Sequence, residues 1–429
     1  MKIKTKSLSY AQVLTLPRPE HKLPRKPSPL LRHLVRLLSA GDLKATDFTY
    51  TMEGMEKLPS GEPALILMNH SSFIDLEMMF EMFRDRPFGI VCTSDGFVGK
   101  ESLMRMLGCI PTQKFVSDVT LIRDMEYMLR ELHTSVLMYP EASYSFDGTA
   151  TPLPRKMGIL LKKLGVPVVC VITSGAFGRD PLYNMLQKRK VKVSAKVEYL
   201  LSPEEIKEKT VAQLDEILDS RFRFDNFAWQ KENGIVIDEP FRADGLNRIL
   251  FRCPHCGSEG NTLGKGTSLI CRSCGAAYEL AADGSLQCKT GQAAFTHIPD
   301  WYRWQRQQVR RELEEGTYRL ETPVKIGMMV DFKAIYMVGS GNLVHDCSGF
   351  HLTGCDGKLD YAQGPLACYS VYSDYYWYEL GDIICIGNQD ALYYCFPEKA
   401  DVVAKTRLAA EELYKLKKAE RKRPRAAVQ

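Results

Sequence analysis

No apolar run in these 429 residues reaches the eighteen or so positions that a membrane-spanning helix needs, so the chain is expected not to cross a bilayer. The N-terminus also lacks the pattern of a secretory signal, a basic start followed by an unbroken apolar stretch and a small-residue cleavage site. Together these absences point to a cytoplasmic protein whose thirteen cysteines stay reduced rather than paired. A large charge imbalance is missing too, the formal net charge being only +5. What imbalance there is lies at the ends. Residues 1 to 36 carry nine Lys or Arg against one acid, and residues 415 to 425 carry seven against one, leaving 41 basic and 50 acidic residues between them. An acidic middle argues against a nucleic-acid-binding body. Basic ends suit an anionic membrane surface, where each positive side chain contributes on the order of 1 kcal/mol, or they are solvated tails.

The length is comfortable for two or three domains, and their signals change along the chain. Residues 1–44 form a basic arm. Within it, Ser28 and Pro29 suit the N-cap and first turn of a short helix carrying Leu30, Leu31, Leu34, Val35, Leu37 and Leu38, with basic residues between them. Such a helix either lies in a membrane interface or packs its leucines on protein, and at about ten residues it is marginal alone. From 45 to 245, short apolar strands alternate with helical stripes, the clearest being Leu121, Ile122, Met125, Met128, Leu129 and Leu132 in a helix expected from Ser117. Ser202 Pro203 Glu204 Glu205 is a capping box. The fold class expected is α/β, a mixed but mostly parallel sheet flanked by helices.

The centre of this region is Asn69 His70 Ser71 Ser72 Phe73 Ile74 Asp75, between the apolar run Ala64–Met68 and a stripe of Leu76, Met79, Phe80 and Phe83. Positions five apart on a regular helix lie about 140° apart around its axis, so His70 and Asp75 meet only if His70 sits in the turn before the helix. Ser71 and Ser72 are N-cap candidates there. One reading is a histidine base oriented by a carboxylate; the other is a pair of residues capping a helix end. A second apolar strand, 134 to 140, empties into Glu141 Ala142 Ser143 Tyr144, and in sheets of this kind sites gather where strands end and helices begin.

Four ordered blocks, Asn69–Asp75, Gly108–Ile110, Tyr139–Glu141 and Gly165–Val169, resemble those of the PlsC-type glycerolipid acyltransferases over roughly residues 45 to 230. The resemblance implies transfer of an acyl group from a thioester, acyl-CoA or acyl carrier protein, to a hydroxyl of a lysophospholipid or related glycerolipid. It makes His70 and Asp75 the catalytic pair and places Asn69, Lys114, Glu141, Ala142 and Ser143 at the substrate, with Glu141 either orienting the acceptor or holding the turn that follows it. The chain departs from the family at two positions that would grip a phosphate. The third block has Tyr144 where the family places arginine, and the second offers only Lys114, a point charge rather than a bidentate fork. Arg155 and Lys156 either compensate or are solvated charges. A non-catalytic lipid-binding or scaffold protein with this fold is the rival reading.

Beyond residue 245 the most specific local signal appears. Cys253-x2-Cys256 and Cys271-x2-Cys274, each followed by glycine, resemble a zinc ribbon over 250–290. Four thiolates leave no open position on Zn²⁺, so the metal is expected to be structural, with His255 a spacer. Residues 296–429 open with a bridging helix. Short strands follow, at 318–329, 334–338, 342–345, 350–353, 367–371, 383–386 and 391–396, and then a last helix from about Asp401, an order that resembles PH or GRAM domains. The aromatic run from Tyr369 to Tyr378 is either an interfacial patch or core.

Overall fold

The computed structural model describes residues 2–422 except 117, 155 and 400. Strand Leu65–Met68 is buried at all four positions, as an inner strand of a parallel sheet covered on both faces must be. It lies at the centre of seven strands ordered 49–53, 194–201, 168–174, 65–68, 135–138, 88–93, 109–112. Every pairing is parallel except that of 168–174 with 194–201, so the sheet is mixed and mostly parallel. Helices Ile74–Met82, Glu101–Met106, Val119–Arg130 and Met157–Leu164 form its crossovers. The expected capping box is present, Ser202 Oγ accepting from the Glu205 N–H and the Glu205 carboxylate from the Ser202 N–H. Of the positions singled out, Ser117 and Arg155 lie outside the described residues.

A four-stranded antiparallel sheet, 262–265 to 286–288, follows, and beside it both cysteine pairs come together. Helix Ile298–Glu314 then leads into antiparallel strands ordered 359–363, 349–354, 335–346, 319–329, 392–397, 381–387, 372–377, and the last element among the described residues is helix Val402–Lys422. Two strands expected separately, 334–338 and 342–345, are one strand, Ile335–Asp346, and 359–363 had no clear signal. The stretch 367–371 is not a strand; the strand begins at Tyr372.

The N-terminal arm is neither a tail nor a helix alone. Thr5–Ser7 adds a parallel strand to the C-terminal sheet by pairing with Ile335–Met337, and Val13 of the next helix is wholly buried. The amphipathic helix begins as its caps predict, Ser28 Oγ accepting from the Leu31 N–H with Pro29 first, but it runs seventeen residues, Pro29–Ala45. Its orientation meets the packing alternative only in part, with Val35 against the core and Leu31 half-buried. Arg32, Ser39 and Leu43 are its buried residues, the Arg32 guanidinium lying over the Phe80 and Phe88 rings and donating to the Phe83 carbonyl at 2.8 Å. Leu30, Leu34, Leu37 and Leu38 face solvent, 47–76% exposed.

One continuous core joins the parts the sequence separates. Phe146 and Phe227 of the α/β region, Tyr278 of the small sheet, Trp301 of the bridging helix and Tyr375 of the last sheet belong to the same buried cluster. The aromatic run is mostly interior. Tyr372 Oη and Trp377 Nε1 both donate to the Asp95 carboxylate, at 2.9 and 3.0 Å, across the boundary with the α/β region.

Candidate functional site

Strand Leu65–Met68 delivers Asn69 and His70 to its C-terminal end, and the helix that begins at Ile74 turns Asp75 back towards them. His70 Nδ1 donates to Asp75 Oδ2 at 3.0 Å. The same oxygen accepts the Ser71 and Ser72 amides at 2.8 and 3.0 Å. The carboxylate therefore ties down the turn before its own helix; the N-cap position falls to Phe73 rather than to a serine, while Ser72 Oγ accepts from the Ile74 N–H. Three donors on one oxygen fix both the loop and the imidazole tautomer, leaving Nε2 as the nitrogen that can take a proton.

Burial sets the charges of the pair. It pushes Asp75 up to about 7 against the pull of the two serine amides, and it holds His70 well below its ordinary value, helped by the nearby Lys114 charge. A neutral imidazole is the form a general base requires. Its faces are covered by two phenols, Tyr139 at 4.0 Å and Tyr144 at 3.8 Å between ring centroids, so that only 15% of the side chain is exposed.

Glu141 holds the loop together from the neighbouring strand. One carboxylate oxygen accepts the His70 backbone N–H at 3.0 Å, the other the Thr151 N–H at 2.6 Å and its hydroxyl at 3.0 Å. With 1% exposure it clamps the site and has no face for a substrate. Asn69, also expected at the substrate, is wholly buried: its Oδ1 accepts the Thr173 N–H at 2.8 Å and hydroxyl at 3.2 Å, and its Nδ2 reaches Ser71 and the Thr173 carbonyl. Both residues position the loop. Ala142 sits in the left-handed region at φ 56°, its N–H given to the Tyr139 carbonyl. Ser143 is buried and accepts from Arg407 at 2.6 Å. Lys114 is partly buried, its ammonium 4.3 Å from the centre of the Tyr372 ring and 5.9 Å from that of Tyr144. The glycine of the second block, Gly108, has φ +81°, and a Cβ there would meet Pro27 at 3.1 Å.

Several functional neighbours carried no sequence signal. Tyr139 and Tyr144 become stacking partners only once the turn after Glu141 folds. Ser72 Oγ bonds to Asp180, which pairs with Arg179 at 2.8 Å, and Arg179 reaches Asp42 on the N-terminal helix at 2.7 Å. Arg407 arrives from more than 260 residues away.

The acyltransferase family model matches residues 49–174, the segment holding His70, Asp75 and Glu141. The chain carries an acyltransferase domain. A human protein, 1-acyl-sn-glycerol-3-phosphate acyltransferase beta, is 29% identical over 136 residues, covering 31% of this chain and 48% of the relative. The chain thus spans about half the length of the curated relative it matches. Among solved structures, the 1-acyl-sn-glycerophosphate (LPA) acyltransferase PlsC from Thermotoga maritima aligns over 44% of this chain and 77% of its own, with 16% identity and a TM-score of 0.34. That score is too low to support an argument. The match of 49–174 leaves the cysteine cluster and the C-terminal sheet of this acyltransferase-domain protein outside it.

The cysteine cluster has a definite geometry of its own. The four Sγ atoms of Cys253, Cys256, Cys271 and Cys274 all lie within 4.8 Å of one another. The pairs Cys253–Cys274 and Cys256–Cys271 are 3.7 and 3.8 Å apart. A tetrahedron with Zn–S bonds of about 2.3 Å has S···S edges of about 3.8 Å, so the thiols fit such an ion. Each knuckle closes in the same way, the Gly257 and Gly275 N–H groups donating to the carbonyls of Cys253 and Cys271 at 2.9 Å. His255 is turned aside and hydrogen-bonded to Tyr278 Oη at 2.8 Å.

Proposed function

We propose that the protein is an O-acyltransferase that moves a fatty acyl group from a thioester, acyl-CoA or acyl carrier protein, to a hydroxyl of a lysophospholipid or related glycerolipid. The observation that carries this reading is the His70–Asp75 pair, buried and neutral-imidazole, in a segment matched by the acyltransferase family. His70 Nε2 takes the acceptor's hydroxyl proton as the oxygen attacks the thioester carbonyl, and Asp75 stabilises the imidazolium; this is triad chemistry with the substrate hydroxyl as nucleophile. The Ala142 and Ser145 amides are committed to carbonyls within the site, so the Ser143 and Tyr144 amides are the turn's candidates for the oxyanion. The tetrahedral intermediate collapses with breakage of the thioester C–S bond, and the departing thiolate takes the proton from His70 Nε2, restoring the neutral imidazole. The test is thiol release from a long-chain acyl thioester with a panel of lysolipids. The stacking of Tyr139 and Tyr144 on both faces of His70 favours one rival, a lipid-binding scaffold, and a protein inert towards every thioester would select it.

Zn²⁺ is the metal that the four thiols suit, as a structural ion. The seat of action is the cytoplasmic face of a membrane, where the acceptor resides. There the exposed leucines of helix Pro29–Ala45 enter the interface while its opposite face stays on the domain. Leu34→Glu with Leu38→Glu should lower binding to vesicles of phosphatidylglycerol and phosphatidylcholine about tenfold or more without changing the melting temperature. Unchanged partition in a sedimentation assay would remove the helix from the membrane contact.

Lys114 is the proposed contact for an acceptor phosphate. Lys114→Ala should raise KM about tenfold for a phosphate-bearing acceptor and leave a phosphate-free monoacylglycerol little affected. Equal effects on both would assign Lys114 to packing against Tyr144 and Tyr372.

A further inference from the structure

Between the catalytic domain, the bridging helix and the C-terminal helix lies a cavity of about 190 Å³ that acyl transfer as described does not use. Four cations line it, Arg303 and Arg306 from the bridging helix and Arg407 and Lys415 from the C-terminal helix, against two carboxylates, Asp147 and Glu411. They are graded from rim to floor. Side-chain exposure falls from 61% at Arg303 and 47% at Lys415 to 24% at Arg306 and 5% at Arg407. Each cation already has a carboxylate partner: Asp300 for Arg303, Glu411 and Glu412 for Arg306, Glu411 for Arg407 and Glu412 for Lys415. These pairs do not use up the donors. Among the described residues, Arg306 places only Nη1 on the two glutamates, at 2.6 and 3.1 Å, and Arg303 only Nη1 on Asp300, so each keeps Nε and Nη2 of a fork that matches a phosphate. A drug-sized ligand needs roughly 300 Å³ or more, so the volume suits a headgroup and excludes an acyl chain.

We propose that this cavity binds a phosphomonoester dianion. Arg306 grips it at the floor, Arg303 and Lys415 close over it at the rim, and Arg407 ties the floor to the catalytic loop. That last link is direct. Arg407 donates to Ser143 Oγ at 2.6 Å and to the Tyr144 carbonyl at 3.2 Å, and Thr151, which also lines the cavity, donates to the Glu141 carboxylate that holds the His70 N–H. A bound phosphate thus bridges three segments that meet two residues from the imidazole.

Titration calorimetry and thermal melting of the whole 429-residue chain test this without any turnover, and so independently of the acyl-transfer reading. The probes are inorganic phosphate, glycerol 3-phosphate, 1-hexanoyl lysophosphatidate below its micelle concentration, and 1-hexanoylglycerol as the phosphate-free control. Saturable binding is expected for the phosphate compounds, with a melting temperature raised by a few degrees at about 100 times Kd. Binding by all three makes a free phosphate sufficient, whereas binding by the lysophosphatidate alone makes the lipid headgroup the source. Arg303→Gln with Lys415→Gln, both at the rim, should weaken binding about tenfold or more, and Arg306→Gln should abolish it. Should Arg306→Gln fail to fold, the rim pair still decides. No saturable binding of any of the three phosphate compounds, equal binding of 1-hexanoylglycerol, or an unchanged Kd in the folded rim variant would overturn the proposal.

Discussion

Replacing His70 by alanine should lower turnover by about 10²-fold or more, the usual worth of a general base, with KM little changed and an unaltered thermal melt. Asp75→Asn should also slow the reaction, because it removes the charge that stabilises the imidazolium while one amide oxygen can still accept the Ser71 and Ser72 N–H groups. The double variant should be little slower than His70→Ala alone, since the two residues act as a unit. The pH profile offers a second readout. Burial pushes Asp75 up to about 7 and His70 down, so the active state, carboxylate ionised and imidazole neutral, is lost as pH falls through about 7. The acid limb of kcat/KM belongs to the pair rather than to either residue, and Asp75→Asn should move it to lower pH. A folded His70→Ala protein that transfers acyl groups at the parent rate would sink the mechanism.

Loss of the metal should have the largest effect on stability. Purified protein should contain one zinc ion per chain, and Cys253→Ser with Cys271→Ser should remove it. Structural zinc contributes about 10–16 kcal/mol in isolated finger peptides, comparable with the whole stability of a domain. Here the consequence should spread, because Tyr278 beside the knuckles shares its core with Trp301 of the bridging helix, and Trp301 Nε1 donates to the Arg252 carbonyl at 2.9 Å. We expect the melting temperature to drop by about 10 °C or more and residues 250–290 to become protease-sensitive. His255→Ala should keep its full complement of zinc, since that ring is bonded to Tyr278. Protein free of zinc, or zinc lost only with His255, would count against the four-thiolate site.

The amount that sequence determined differs from one residue to the next. The strand before His70 was legible because four consecutive apolar residues ending at Met68 have few other uses, and the five-residue spacing to Asp75 already required a turn in between. The cysteine knuckles were legible because ligand spacing and the glycines at positive φ are local properties. The start of helix Pro29–Ala45 was equally plain from Ser28 and Pro29. Which way that helix faces was not, because both of its faces carry apolar atoms. An arginine with rings below it and carbonyls within reach took the inside beside Leu43, and Leu30, Leu34, Leu37 and Leu38 were left outside. Whether Asn69 and Glu141 touch a substrate or hold the loop was not legible for a similar reason. A polar side chain near a reacting group touches substrate or holds the loop according to what buries it, and the strands at 135–138 and 168–174 bury both. The parallel pairing of Thr5–Ser7, the Tyr144 ring on His70, and the arginines of the 190 Å³ cavity depend on segments hundreds of residues apart being packed against one another, and only the tertiary structure decides that.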